Sequence, residues 1–541
     1  MLSSISAVTS IVLSAGLGTR MKTNKPKVLH EILGRPMVAY LIETLKSVGV
    51  SDIVLVVGHQ AEQVQAAYQD YGVRFVVQEP QMGTGHAVQV GLPAVPPEAQ
   101  TVLVLCGDAP LISGESILAL QQLHKSTGAA ITMQTIILPD GAHYGRVVRA
   151  ENGQVEAVLQ AKDSKDRQDI LAIREINTGA YCFDAGFLAE NLPLLKPSPV
   201  TGEIYLTDLI HIAREQDRGV EALVDPDWDN LLGINSRAEL AAATQTMKRK
   251  INVRHMDQGV TLIDPESTYI EPGVTIGRDT VIYPNVYLLG STVVGENNLL
   301  EPNVKIADSV LEDNVLVKMG SVITDSRLGP KVQVGPYSHL RPGSDLRAGV
   351  HVGNFVEVKQ SILHEDVRAN HLTYLGDAVV GAKVNVGAGT ITCNYDGDKK
   401  SPTIIEASAF IGSNTALVAP VRIGARAYVA AGSTINKNVP ADMLGKARSP
   451  QENTPLINKA TVLTISKSVD TANRLSGSII MIAKHYGIIG TGDGKQFFFY
   501  RLSLIDGEFD NLKQGMEVYF KEQSTEPNEK EKPVLIWPHH R

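Results

Sequence analysis

From Ile270 onward the chain places an aliphatic residue at every sixth position: Ile270, Ile276, Ile282, Leu288, Val294, Leu300 and Ile306. The spacing returns at Val334, Leu340, Leu346, Val352 and Val358, and again at Ile405, Ile411, Leu417, Ile423, Val429 and Ile435. Neither the helical period nor the strand period of two gives this register. A β-helix does, because each short strand points one aliphatic side chain into a narrow interior. Chance spacing would have to recur in three separate runs. Gly277, Gly295, Gly335, Gly353, Gly412 and Gly424 fall between the strands, where glycine is expected to permit the corner turns. With 47 glycines and 5% aromatic residues, the composition suits thin-walled β structure.

The third run is out of phase with the second. Between them lie "NHLTYLGD" and "VNVGAGTITCNYDGDKKSP", which crowd His, Tyr, Asn, Asp and Lys where a solenoid core needs none. Residues that break a local rule are candidates for function.

Ahead of the solenoid, up to about residue 235, short apolar runs alternate with helix-like stretches. The runs are Ile11–Leu13, Ile53–Val57, Phe75–Val77 and Thr101–Leu105; the stretches include Met37–Val48 and Glu62–Tyr71. This order predicts an α/β domain with a mostly parallel sheet and ligands beyond the C-terminal strand ends. Two loops fall at such ends. "LSAGLGTRMKTNKPK", Leu13 to Lys27, is no Walker loop, because no Gly-Lys-Ser/Thr closes it, and it lacks the third glycine of a dinucleotide fingerprint. Its backbone N–H groups, with Arg20, Lys25 and Lys27, can hold a phosphate. A tight turn with solvated basic residues reads equally well from the loop alone. In "CGDAPL", Asp108 suits either a metal-binding carboxylate or a helix N-cap. "AELAAATQTMKRKINVRHM", from Ala238, reads as a helix leading into the solenoid.

At 541 residues the chain is too long for one core. A net charge of −8 argues against a broad basic nucleic-acid surface. Three scattered cysteines give neither a disulfide framework nor zinc spacing, which fits a reducing cytoplasm. No signal peptide and no membrane-length apolar stretch is read, so a cytoplasmic protein without membrane association is expected.

The motifs "LSAGLGTRM", "PKVLH", "GTGHA", "CGDAPLI", "YGRVVR", "EINTGAY", "GINSR", "LRPG", "HVGNFVEVK", "NHLTYLGDA", "VNVGAGTITCNYDG", "FIGSNTALVAPV" and "KARSPQ" together carry a resemblance over about residues 8 to 455. The chain resembles the bacterial bifunctional N-acetylglucosamine-1-phosphate uridylyltransferases/glucosamine-1-phosphate N-acetyltransferases. The first loop occurs in many sugar nucleotidylyltransferases. "HLTYLGD" followed by "NYDG" belongs to the acetyltransferase half and is far more specific.

The resemblance implies a Rossmann-like nucleotidyltransferase domain over 1–237, a linker helix over 238–256 and a left-handed parallel β-helix over 257–448. It further implies synthesis of UDP-N-acetylglucosamine from glucosamine-1-phosphate, with acetyl-CoA and UTP as co-substrates and Mg²⁺ as cofactor. In the uridylyl site, Arg20 and Lys27 would offset the phosphate charge, and Asp108 and Asn235 would hold the metal. Gln78, Gly83 and Thr84 would read the uracil, Gly145 and Asn177 the sugar, with Leu13, Ala15, Gly16 and Gly107 along the loops. Gln160 departs, because the family pattern has glutamate there. In the acetyl site, His371 would be the base and Glu357 the carboxylate that orients it. Arg341 and Lys359 would bind the sugar phosphate, and Tyr374 and Asn385 the sugar. Ala388, Asn394, Tyr395, Ser413, Ala431 and Arg448 would bind acetyl-CoA. Such solenoids assemble as homotrimers, with loops such as Asn385–Pro402 reaching a neighbour. Two narrower readings compete: a nucleotidyltransferase whose β-helix serves only assembly, as in ADP-glucose pyrophosphorylases, and a non-catalytic regulatory subunit.

After Pro440 a polar linker runs to Leu475 (449–475 in the domain scheme), and residues 476–541 return to strand-like runs. This tail resembles a cold-shock domain, a small OB-type β-barrel. From Gly477 it holds eight Lys and Arg against nine Asp and Glu, a net of −1, so little counterion release is available. Weak single-stranded nucleic-acid binding is expected on Tyr486, Phe497, Phe499 and Tyr500, unless these aromatics fill the barrel core or contact another subunit.

Overall fold

The first aliphatic run becomes the centre of a nine-stranded sheet in the computed structural model, which describes residues 8–164, 166–453, 474–501, 504, 508–522 and 534–538. Strand Val8–Ser14 runs parallel to Asp52–Val57 on one side and to Thr101–Cys106 on the other. The chain thus turns to opposite sides of its first strand, and the crevice at such a point is where open α/β sheets bind ligands. Neighbouring residues serve opposite faces: Val12, Leu55 and Leu103 enter one core, Ile11, Val54 and Val104 the other. Two strands depart from the parallel pattern, Val155–Leu159 at the margin and Glu175–Asp184 in the sheet's interior. Glu175–Asp184 is antiparallel to both Thr101–Cys106 and Ile131–Ile137, with a register shift between Asn177 and Tyr181. Such irregularities re-aim side chains beside active sites.

Helix Arg237–Asp257 leads into three stacked parallel sheets of 11, 10 and 9 short strands, the left-handed β-helix. Most coils are 17 or 18 residues long, as the registers Val294↔Leu311 and Ile270↔Leu288 show, and the coil holding the Asn394 loop lengthens the register to Val386↔Ile411. A 17-residue coil contains one step of five, from Ile306 to Leu311 or Val358 to Leu363, and these steps move the period out of phase. The coils continue through residues 359–405, so the polar stretch is decorated solenoid wall. Its buried column of Leu, Val and Ile lends each fully buried side chain about 1.5–3 kcal/mol.

The corner glycines act differently from expectation. Of the six, only Gly335 has a positive φ. Gly353 is required because an added Cβ would lie 2.0 Å from the Asn370 carbonyl oxygen of the next coil. The left-handed turns are made largely by Asn and Asp, such as Asn285, Asn303, Asn314 and Asp366.

Residues Met1–Arg448 form one compact unit and Ser449–Arg541 another. In the second, strands Leu475–Ile482, Tyr486–Gly490 and Gln496–Tyr500 form a meander, and Glu517–Glu522 and Val534–Pro538 pair on its other side. A parallel bridge between Leu504 and Ile536 brings the two ends together, as in an OB-type barrel. The aromatic expectation needs correction. Phe499 is fully buried, and Phe497 packs on Phe520. Strand alternation therefore turns Phe498 and Tyr500 outward, where Tyr486 stacks on Phe498 at 5.9 Å between ring centroids.

Candidate active sites

At the switch point the strand ends enclose a cleft of about 430 Å³. Leu13, Ala15, Gly16, Lys27, Gln78, Gly83, Thr84 and Asp108 line it, as expected, together with Gln81, Cys106 and Glu203, which the sequence reading did not name. Lys27 is the centre of the arrangement. Its Nζ lies 2.5 Å from Asp108 Oδ2 and 3.0 Å from Asn235 Oδ1. The glycine loop wraps this lysine closely, since a Cβ on Gly18 (φ +62) would meet Lys27 Cβ at 2.8 Å. Asn235 is held from behind: its N–H donates to Glu239 Oε2 at 2.6 Å, and Ser236 caps the helix by accepting from the Glu239 N–H. Burial, with Asp108 nearby, pushes the Cys106 thiol up to about 12, so it stays neutral.

The Asp108 and Asn235 oxygens converge on one ammonium. Two side-chain oxygens completed by phosphate oxygens and water are what Mg²⁺ accepts, so the residues present fit the implied metal.

Gly83, at φ +101, leaves no room for a side chain, because a Cβ would lie 2.6 Å from the Ile204 carbonyl oxygen. Gln78 is buried and donates to the Gly83 carbonyl at 3.0 Å, and Thr84 Oγ1 accepts from the Leu206 N–H. Beside the cleft, the Asn177 N–H donates to the Gly145 carbonyl at 3.0 Å, and Gln160 abuts Gly145 while donating to Thr207 Oγ1 at 3.3 Å. Arg20 and Gly107 also stand apart from the lining. Arg20 is exposed on the turn Thr19–Met21, and burial, with the Arg20 charge added, lowers the His143 pKa. Gly107 packs under Ser14, where a Cβ would meet Oγ at 2.2 Å.

The second constellation lies on the outside of the β-helix. His371 ends strand Arg368–His371 and stacks one coil beyond Asn354. Its Nδ1 is 2.9 Å from Asn354 Oδ1. With Asn354 Oδ1 as acceptor, a neutral imidazole would carry its proton on Nδ1 and offer Nε2 at the surface as a base. Glu357, expected to orient His371, has its Oε1 accepting from Arg341 Nη1 at 2.9 Å within the chain. Phe355, at φ +56, turns the corner between Asn354 and Glu357, so the two residues face different sheets. Tyr374 stacks one coil beyond Glu357, and its hydroxyl accepts from Asn394 at 3.4 Å.

The loop after Asn394 adds an unforeseen cation. Lys400 lies against Lys359, and this close contact between like charges lowers the Lys400 pKa. Arg341 follows a strand paired with that of Lys359 one coil on, so three cations rise on one wall, a charge set that could accept a phosphate dianion. Tyr395 is exposed on this loop, its hydroxyl donating to the Gly397 carbonyl. Asn385 sits one coil beyond Arg368. Ala388, Ser413, Ala431 and Arg448 rise along one corner, linked by Asn414 N–H to Ala388 O and Gly432 N–H to Ser413 O. A column of that kind suits an extended ligand.

Comparison with known proteins follows the same division. Residues 10–175 match a family model described as the MobA-like NTP transferase domain, and residues 402–437 match the bacterial transferase hexapeptide (six repeats). Three curated relatives carry the name "Bifunctional protein GlmU". That of Pelobacter propionicus is 46% identical over 447 residues, covering 82% of this chain and 97% of the relative. That of Heliobacterium modesticaldum is 46% identical over 82% of this chain and 95% of its own. The third, from an Exiguobacterium species, is 46% identical over 82% and 98%.

Proposed function

This chain belongs to the GlmU family of bifunctional proteins, and we propose that the N-terminal cleft and the β-helix wall carry its two transfers separately. The enzyme acetylates glucosamine-1-phosphate from acetyl-CoA and then transfers uridylyl from UTP to N-acetylglucosamine-1-phosphate, releasing pyrophosphate. Family membership removes both narrower readings.

For uridylyl transfer the carrying observation is the Lys27 ammonium shared by Asp108 and Asn235. We assign these two oxygens to Mg²⁺, which would neutralise charge on the triphosphate when bound. Lys27, aided by Arg20 at the loop's mouth, offsets the developing charge on phosphate oxygens. Gln78, Gly83 and Thr84 read the base; Gly145, Asn177 and Gln160 seat the sugar. The work is positioning and electrostatics, with no covalent intermediate needed.

For acetyl transfer, the amine nitrogen attacks the thioester carbonyl carbon and passes its proton to His371 Nε2. The carbon–sulfur bond then breaks, and the departing thiolate takes up a proton. Asn354 holds the imidazole in the tautomer this requires. Arg341, Lys359 and Lys400 take the phosphate, Tyr374 and Asn385 the sugar. The corner column with Asn394 and Tyr395 takes acetyl-CoA.

We read the assembly as a homotrimer in the cytoplasm. An apolar column beside His371, formed by Tyr337, Phe355 and Leu372, supports this: all three have positive φ, and among the described residues each stays at least half exposed. Among the described residues no helix is long and apolar enough to cross a membrane. The C-terminal barrel would bind single-stranded nucleic acid weakly, through Tyr486, Phe498 and Tyr500.

Each half is tested by one variant. Asp108→Asn should abolish uridylyl transfer and spare acetyl transfer; His371→Ala should do the reverse. Equal loss of both activities in either protein would mean a folding defect, and full acetyl transfer by a monomer in solution scattering would remove the trimer.

A further inference from the structure

Among the described residues, the largest fully buried side chain is charged. Arg146 is 2% exposed at the start of strand Arg146–Arg149. Its guanidinium meets no carboxylate among the described residues. Nη1 donates to the carbonyls of Gly141 (2.8 Å) and Tyr144, Nη2 to Ala142 (3.0 Å) and Nε to Leu171 (3.4 Å). Burying a guanidinium against carbonyl dipoles alone is costly, and an apolar side chain would pack this place more favourably. Its presence therefore points to what it holds.

Arg146 holds the turn of residues 141–145, which is wound tightly around it. A Cβ on Gly141 would lie 2.5 Å from Arg146 Cζ. The turn touches both halves of the uridylyl site. At one end the Gly145 carbonyl accepts from Asn177, with Gln160 against the same glycine. In the middle, the Tyr144 hydroxyl accepts from the Gly233 N–H at 3.1 Å. Gly233 lies two residues before Asn235, and a Cβ on it would come 3.2 Å from Asp108 Oδ1.

We infer that Arg146 is a positioning residue for uridylyl transfer, clamping one turn so that the sugar seat and the metal-side loop keep a fixed spacing. The inference rests on the assignment of Asp108, Asn235, Gly145 and Asn177 to that site. It deepens the assignment by linking two subsites through a side chain that touches neither substrate.

The test uses full-length Arg146→Met, Arg146→Lys and Tyr144→Phe proteins. Sugar phosphate, UTP and Mg²⁺ are varied separately, and UDP-N-acetylglucosamine binding is measured by calorimetry without metal. Arg146→Met should raise the KM for N-acetylglucosamine-1-phosphate and the half-saturating Mg²⁺ by about tenfold or more, with little change for UTP. Calorimetric affinity should fall by a similar factor, and acetyl transfer should be unaltered. Arg146→Lys should recover part of the loss. Tyr144→Phe, which cuts only the Gly233 link, should move the Mg²⁺ requirement and leave the sugar KM in place. Wild-type constants in Arg146→Met, or parallel loss of both enzyme activities, would overturn the inference. An active Asp108→Asn protein would instead overturn the site assignment beneath it.

Discussion

Replacing Gln160 by glutamate isolates one charge in the sugar seat. Gln160 stands where the family resemblance implies a carboxylate, at the entry to the turn Ala161–Asp163. Its amide donates to Thr207 Oγ1 at 3.3 Å. A glutamate fits the same place, because the Thr207 hydroxyl can rotate to donate instead. A hydrogen bond to a neutral carbonyl contributes about 0.5–1.5 kcal/mol and one to a charged group about 1.5–3 kcal/mol. One sugar hydroxyl meeting a carboxylate therefore gains about 1 kcal/mol, a factor of about five. In steady-state pyrophosphate-release assays, Gln160→Glu should lower the KM for N-acetylglucosamine-1-phosphate about fivefold and leave that for UTP unchanged. An unchanged or higher sugar KM would refute the charge argument.

Lys400→Ala should raise the KM for glucosamine-1-phosphate several-fold in the acetyl assay while leaving uridylyl transfer alone; an unchanged KM would make the Lys359–Lys400 approach incidental. His255 is buried, neither ring nitrogen has a hydrogen-bond partner among the described residues, and burial pushes its pKa down to about 4 from 6.5. The unfolded chain therefore binds this proton more readily, so the stability in question is present above pH 6.5 and is lost as the pH falls toward 4. Thermal melts should show a decline on acidification that His255→Leu reduces, and an identical decline in both proteins would exclude His255 as its source. Ending the chain after residue 475 should leave both activities intact; loss of either would make the C-terminal barrel part of the enzyme.

The β-helix was legible because its interior admits one aliphatic residue per strand, so the period of six is the fold itself. The roles of its corner glycines were not legible, because close approach of the next coil's backbone leaves no local signal. That Asn354, rather than Glu357, is the intrachain partner of His371 was hidden for a related reason. Chain separation does not tell which wall of a solenoid a residue occupies, whereas counting one 17-residue coil back from His371 reaches Asn354. In the C-terminal barrel the alternation of Phe497, Phe498, Phe499 and Tyr500 was visible, but its phase was not. Four consecutive aromatics fit either face until Phe499 is seen in the core. The Lys27–Asp108–Asn235 cluster joins residues far apart in the chain, and only the motif order brought them together beforehand. Arg146 gave no signal beyond its place in "YGRVVR", since a buried arginine and an exposed one look alike in sequence.

The claim that one chain holds two complete and separate sites is tested most directly by mixing two single-site variants. His371→Ala and Asp108→Asn proteins are incubated alone and together with glucosamine-1-phosphate, acetyl-CoA, UTP and Mg²⁺, and the products are weighed by mass spectrometry. Alone, His371→Ala should yield no nucleotide sugar, and Asp108→Asn should stop at N-acetylglucosamine-1-phosphate. Together they should make UDP-N-acetylglucosamine and pyrophosphate. A mixture no more productive than its parts, or UDP-glucosamine in place of the acetylated sugar, would contradict the division of labour.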